Sequence, residues 1–388
     1  MSTDIADPRP FADEATSSRE PLIVLCEASL SASNVTRAAA CDRAIGQALG
    51  EMLRAGDAQG LMRAFDAAPS AVVARHLSRR LIAAWDETTG AISGDELTAV
   101  LFAFPVILVA SVDAGSEERT LPGVLPDVSR VAALLGEHHA LADNRAFGLA
   151  NAWIAARALD IDRLPALLAW QRLPEAGLTT PRELESADLT VQPGVDGVHL
   201  RFIVGSALVA PNRTLVGARD TGAWGLPLAQ ELSRQFAAPG LTVLALPRPP
   251  QAPYLALQHG RAAQREVSAQ LFASNAIRQL RASVGEPAAV ISAHTCAEAV
   301  GGGELRVSLS SDFDTREAQG FRCPLYTAER ASDVATMLVD LLHDCRVDNV
   351  HVLPGVFPDR DASTGLRLLF KAEDLPPAES RPAERIRH

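Results

Sequence analysis

The chain has almost no lysine: Lys371 is the single one among 36 basic residues, and the others are arginine. A phosphate-loop ATPase, a protein kinase and a Schiff-base enzyme each need a positioned lysine. Lys371 follows the apolar run LRLLF with no glycine-rich loop beside it, which argues against all three. Aromatic residues are scarce too, at 5%, and offer little for stacking on bases. Acids outnumber bases, and a net charge of -11 repels phosphate backbones and anionic lipid, so no nucleic-acid partner is expected. The five cysteines, Cys26, Cys41, Cys296, Cys323 and Cys345, are odd in number and scattered, with no CxxC. That layout suggests neither a disulfide framework nor a zinc ribbon. No hydrophobic run is long. The longest, Leu97 to Val112, has 16 residues and contains Pro105, short of the roughly 20 that cross a bilayer. No membrane span is expected, and this run reads as a buried helix leading into a buried strand. The opening MSTDIADPRPFADEATSSRE lacks the basic-then-apolar layout of a signal peptide, so a cytoplasmic protein is expected.

What is present divides the chain. At 388 residues, two domains are the natural expectation. Residues 1–20 and 376–388 have disordered composition. Residues 21–175 read as a mostly helical domain, opened by a short strand at PLIVLC. Its helical signals are the capping box Ser93-Gly94-Asp95-Glu96 and the three- and four-residue spacing in RVAALLGEHHALAD and RAFGLANAWIAARAL. Turn formers and acids then mark a boundary. Residues 195–375 alternate as strands do, beginning at VHLRFIV.

This second part suggests a duplication. HLRFIVGSAL, RTLVG, GLPLAQELSRQF and LTVLALP match ELRVSLSSDF, GFRCPL, ASDVATMLVDLLHDC and NVHVLP in order. Each unit reads strand, strand, helix, strand, with a helix from about Arg261 to Val284 between them. The predicted fold class is therefore α/β (α+β): a helical N-terminal domain followed by an α/β sandwich, its helices covering one face of a mostly antiparallel sheet.

Several short stretches carry possible chemistry. Asp220 lies in RDTGAWG, and Asp-Thr-Gly-Ala surrounds the catalytic carboxylate of aspartic proteases, which pair two such aspartates. Arg219 beside it would hold the carboxylate ionised and spoil proton sharing. Asp220 and Thr221 read better as a helix cap, with Gly222 and Gly225 in a turn and Pro227 in the first helical turn. His294 and Cys296, two apart on a strand, leave one face and could share a metal with Cys323 and His351 on neighbouring strands. Nothing in the spacing demands it, so neither metal nor cofactor is expected. Asp312 and Asp314 form a D-x-D that reads as a solvated turn. His139 and Asp143 sit one turn apart at a helix end, and Arg261, Arg265, Arg278 and Arg281 read as a solvated basic face. There is no GxSxG or HExxH.

The residues thus lean away from an enzyme. The expected function is a non-enzymatic interaction or regulatory protein, with a protein partner or self-association. Two readings stand beside it: a hydrolase with Asp220 as catalytic acid, and a small-ligand sensor binding between the two α/β units.

Overall fold

PLIVLC does not form a strand. It begins α1 (Pro21–Leu30), with proline at the first helical position, where a missing N–H costs nothing. A six-residue apolar run has the same hydrophobic pattern in a buried helix as in a buried strand, which is why the expectation missed. The computed structural model describes residues 20–90, 98–141, 147–160, 163, 167, 188–194, 196–209, 221–283, 287–295, 303–311, 314–326 and 329–353. Helices α2 (Val35–Ala55), α3 (Ala58–Asp66) and α4 (Ala71–Gly90) follow. The Asn34 side chain accepts the Arg37 N–H at 2.8 Å to start α2, and Gly56, at φ 68, ends it. Asp57 caps α3 by accepting the Gly60 N–H. Ile23, Ile45, Leu49, Leu61, Leu77 and Leu81 fill the core of this helical region.

The run expected as helix-then-strand is one long strand, β1 (Thr98–Val112). It is the centre of the first sheet, whose order is β3-β6-β1-β7, where β3 is Phe147–Leu149, β6 Gly197–Val209 and β7 Leu241–Pro247. β4 (Ile154–Ala155) also pairs with β6, and every pairing in this sheet is antiparallel. Even-numbered β1 residues from Val100 to Val112 enter one core, beneath α5 (Val128–Glu137) and α6 (Thr221–Phe236). Leu101, Ala103 and Ile107 enter another on the opposite face. A strand buried on both sides reads as a continuous apolar run, and this sheet carries helices on both faces rather than one.

Pro105 is tolerated in this central strand because of where its nitrogen points. Ala103 exchanges both backbone hydrogen bonds with Gln251, and the Pro105 carbonyl accepts the Arg248 N–H, so residues 103 and 105 face away from β6. β7 pairs only as far as Val106. No ladder bond is lost.

The stretch RAFGLANAWIAARAL, expected to be helical, supplies β3, β4 and a 3₁₀ turn at Ala156–Leu159. Pairing with β6 outweighs its helical spacing. A small ladder joins β2 (Arg119–Leu121) to β5 (Leu189–Val191). Since β1, β3 and β4 pair with β6, segments 21–175 and 195–375 share one sheet. The capping box at residues 93–96, the run RTLVG and the terminal segments 1–19 and 376–388 lie outside the described residues.

A 31-residue helix, α7 (Pro253–Ser283), leads to the second sheet. Its order is β10-β9-β8-β11, formed by β8 (Pro287–Thr295), β9 (Gly303–Ser311), β10 (Asp314–Pro324) and β11 (Asn349–Val352). Helix α8 (Ala331–Asp344) connects β10 to β11, so strand, strand, helix and strand follow in the expected order. The two sheets differ in one direction: β7 runs antiparallel to the central β1, whereas β11 runs parallel to the central β8.

Gly205 on β6 marks a close approach between neighbouring strands of the first sheet. A Cβ there would lie 2.4 Å from the Gly148 carbonyl oxygen and 2.6 Å from the Phe102 ring. Gly205→Ala is expected to lower unfolding stability by about 1–3 kcal/mol, the usual cost of overpacking. Equilibrium denaturation at constant m-value checks it.

Candidate functional site

The structure separates the residues expected to share a metal. On the second sheet, Ala289, Ile291, Leu305, Val307, Cys323 and Val352 face α7 and α8 in one core. His294 pairs with Glu304, and His351 with Val290, on the opposite face. Cys323 therefore leaves the sheet on the other side from both histidines. Burial pushes its thiol up to about 12, and burial likewise lowers His351. Among the described residues, no three His, Cys, Asp or Glu side chains gather closely enough to hold a metal ion. Asp220, Cys296, Asp312 and Asp143 lie outside the described residues. Helix α6 begins at Thr221, so Gly222 and Gly225 are helical rather than in a turn, and Pro227 falls inside the helix, beyond its first turn. His139, at φ 50, lies just past the end of α5.

His294 has a different companion from the one expected. Ser292 Oγ lies 2.8 Å from His294 Nε2. Across the ladder, Ser292 is paired with Arg306 and His294 with Glu304. Arg306 Nε donates to Glu304 Oε1 at 2.6 Å, and the Glu304 residue is only 4% exposed. Four chemically distinct side chains thus occupy two adjacent cross-strand rows on one face. Burial and the Arg306 charge depress His294, against the opposing pull of Glu304, so its imidazole is neutral near pH 7. Period-two alternation through ISAHT and GELRV places these four residues on one face; metal-ligand spacing does not include Ser292, because serine is not among the metal-ligand types.

A second polar cluster ties the parts together. Arg265 on α7 grips Glu329, its Nη1 donating to one carboxylate oxygen at 2.5 Å and its Nη2 to the other at 2.7 Å. Arg265 Nη1 also reaches the Pro324 carbonyl, and the Tyr326 N–H donates to Glu329. Arg261 and Arg265 stand 5.2 and 5.5 Å from the Tyr326 ring centroid, within cation–π range. Arg261 pairs with Asp160, and Arg75 on α4 donates to the Glu329 carbonyl at 2.8 Å. The expected solvated face of α7 is therefore half right. Arg278 and Arg281 are exposed, but Arg265 is 7% exposed because Glu329 pairs it in bidentate geometry.

Grooves open to solvent among the described residues. Between α7 and α8, about 780 Å³ is bounded by Arg278 and Arg281 against Glu266, Asp340 and Asp344, so the charges offset. Between α2 and α4, about 630 Å³ is bounded, among the described residues, by Arg43, Arg54 and Arg80 with one acid, Asp42. Asp42 is already engaged: it accepts from Ser29 at 2.6 Å and contacts His76 and Arg80. Gly46 lies in this groove, and a Cβ added there would meet nothing within 4 Å. Gly50 and Arg54 line it with Ala83 and Ala84 while Asp42 meets His76 and Arg80, so α2 and α4 run parallel. Their shared starting end exposes Val35 (85%) and Val72 (50%), next to Leu30 at the end of α1.

Glu329→Gln removes the partner of a buried guanidinium and is expected to cost about 3–5 kcal/mol, measured by denaturant unfolding. Thiol accessibility gives a further check. Cys41 and Cys345 are half-exposed, whereas Cys26 and Cys323 are buried, with pKa values raised to about 11 and about 12, burial being the largest cause. A disulfide reagent at pH 8 should label Cys41 and Cys345 in the native protein, and Cys26 and Cys323 only after unfolding. Comparisons with protein-family models, curated proteins and solved structures find no match for the chain.

Proposed function

We propose that this chain is an interaction protein whose binding surface is the groove between α2 and α4, and that its partner presents an acidic helical segment. The carrying observation is charge: among the described residues, Arg43, Arg54 and Arg80 border the groove against one carboxylate, Asp42, which already meets Ser29, His76 and Arg80. On a chain of net charge -11, this is a local reversal of sign, which favours an oppositely charged partner and disfavours a groove-to-groove contact between two copies.

The shape of the floor agrees. Glycine inside a helix costs about 0.5–1 kcal/mol relative to alanine. Gly46 carries that cost and gains no packing in return, since its open side faces nothing. The missing side chain lets a partner backbone approach closely. Val35 and Val72, exposed at one end of both helices, offer apolar anchoring beside the arginines. A cytoplasmic setting accompanies this reading, with Cys41 and Cys345 half-exposed as free thiols.

Gly46→Leu separates binding from folding. A Cβ at this position meets nothing within 4 Å, so the variant should be at least as stable as the parent. Arg43→Glu reverses one exposed charge at the rim. Partners recovered from the host with the parent chain should be lost with both variants. Recovery should also fall steeply with salt, as expected when charge steers the contact. A partner that both variants retain undiminished, or one with a basic contact surface, sinks the proposal.

A further inference from the structure

The polar face of the second sheet carries a chemistry independent of the groove. We propose that Ser292 is an acyl-accepting nucleophile with His294 as its general base, acting on small carboxylic esters.

Geometry comes first. The serine hydroxyl and the imidazole Nε2 are 2.8 Å apart, the separation that proton transfer between nucleophile and base requires. Both belong to one strand, at positions two apart, so the pleat holds them on the same face without help from a loop. Their environment then divides the labour. Arg306, the cross-strand partner of Ser292, places positive charge beside the oxygen that will attack. Glu304, the cross-strand partner of His294, places negative charge beside the imidazole that will receive the proton. Arg306 and Glu304 hold one another through the 2.6 Å contact, so both charges are fixed before a substrate arrives. Because the imidazole is neutral near pH 7, its Nε2 lone pair is available to the serine proton.

The reaction balances without an added cofactor. Ser292 Oγ bonds to the acyl carbon of the ester as its proton passes to His294 Nε2. The carbonyl oxygen carries the negative charge of the tetrahedral adduct, beside Arg306. That adduct collapses by breaking the carbon–oxygen bond to the alcohol, which leaves with the proton from His294. Water then attacks the acyl-serine, giving its proton to His294, and the carboxylic acid departs as the serine oxygen recovers a proton. One ester and one water become one acid and one alcohol. Ser292, His294 and Arg306 are half-buried beside the buried Glu304, which suits short acyl groups. The Arg306 guanidinium favours substrates bearing a negative charge near the ester.

The test uses the full chain with p-nitrophenyl acetate, following p-nitrophenolate release and locating any acetyl group by peptide mapping. The expected result is a burst of release, one acetyl group at Ser292, and loss of the burst in Ser292→Ala. The rate should depend on a base titrating below the ordinary histidine value of about 6.5, so activity persists in mildly acidic buffer and falls only below that value. His294→Gln should lose the burst while leaving the far-ultraviolet circular dichroism unchanged. Release that survives Ser292→Ala, an acetyl group found on histidine, cysteine or the amino terminus instead, or no release above buffer overturns the proposal. Should His294→Gln misfold, the Ser292→Ala result and the position of the acetyl group decide alone.

Discussion

One helix determines how the rest of the molecule is arranged. At 31 residues, α7 is about 46 Å long, and it contributes to three separate cores. Tyr254 packs with the N-terminal helices. Ala256, Leu257 and Ala263 pack on the first sheet. Ala269, Ala273, Ala276, Ile277 and Leu280 pack on the second. The contact with the first sheet is unusually close. A Cβ on Gly260 would sit 3.0 Å from Leu200 and Phe202 and 3.1 Å from Pro105. A rigid rod shared by three cores ties their positions together, because displacing it from one means displacing it from all.

The Arg265–Glu329 pair closes this arrangement where apolar packing cannot. Residues after β10 must turn back across α7 to start α8, and buried turns leave backbone groups to satisfy. Glu329 meets that need several times over, by binding Arg265, accepting the Tyr326 N–H and offering its carbonyl to Arg75 on α4. The single carboxylate thus links the second sheet to the spine helix, and its backbone oxygen links both to the helical region. Buried ion pairs add less stability than their charges suggest. Their geometry is demanding, though, and a bidentate fork fixes the angle between elements as a greasy contact does not.

Much of this was legible in the sequence where period and length were both strong. The helical N-terminal region, the strand at VHLRFIV, α8 at ASDVATMLVDLLHD and the order β9, β10, α8, β11 all follow from alternation or from three- and four-residue spacing. The failures have distinct causes. PLIVLC was too short for period to choose between helix and strand. The run holding Pro105 looked interrupted, because its harmlessness depends on Arg248 and Gln251, far along the chain. The apolar spacing Val267, Leu271, Ile277, Leu280 and Val284 includes the buried Ile277 and Leu280 of α7, but not the alanines at 269, 273 and 276 that make up much of the buried stripe and let the helix lie close to its sheets. The site clusters were hidden for a related reason. Arg265 and Glu329 are 64 positions apart, and no local pattern announces that they meet. Ser292 and His294 are adjacent in pattern, yet their importance rests on Glu304 and Arg306 arriving from the next strand.

The way the sheet edges are finished bears on how this protein meets others. A strand edge offers unpaired backbone groups, and adding a partner strand is a common mode of association. The outer edge of β7 is largely spent. The Leu241 N–H donates to the Ala238 carbonyl at 2.9 Å and the Ala245 N–H to Ser233 Oγ at 3.1 Å. Pro247, next in that alternation, has no N–H to give. Of the outward-facing residues, Val243 alone keeps its donor free among these contacts, too few for a stable added strand. Helix α6 and the turn that follows it thus take up two of the backbone donors along this edge. The helical region has no such protection, since side chains and not backbone define its grooves. An acidic partner would meet Arg43 at the rim and Gly46 on the floor, where a Cβ would touch nothing within 4 Å.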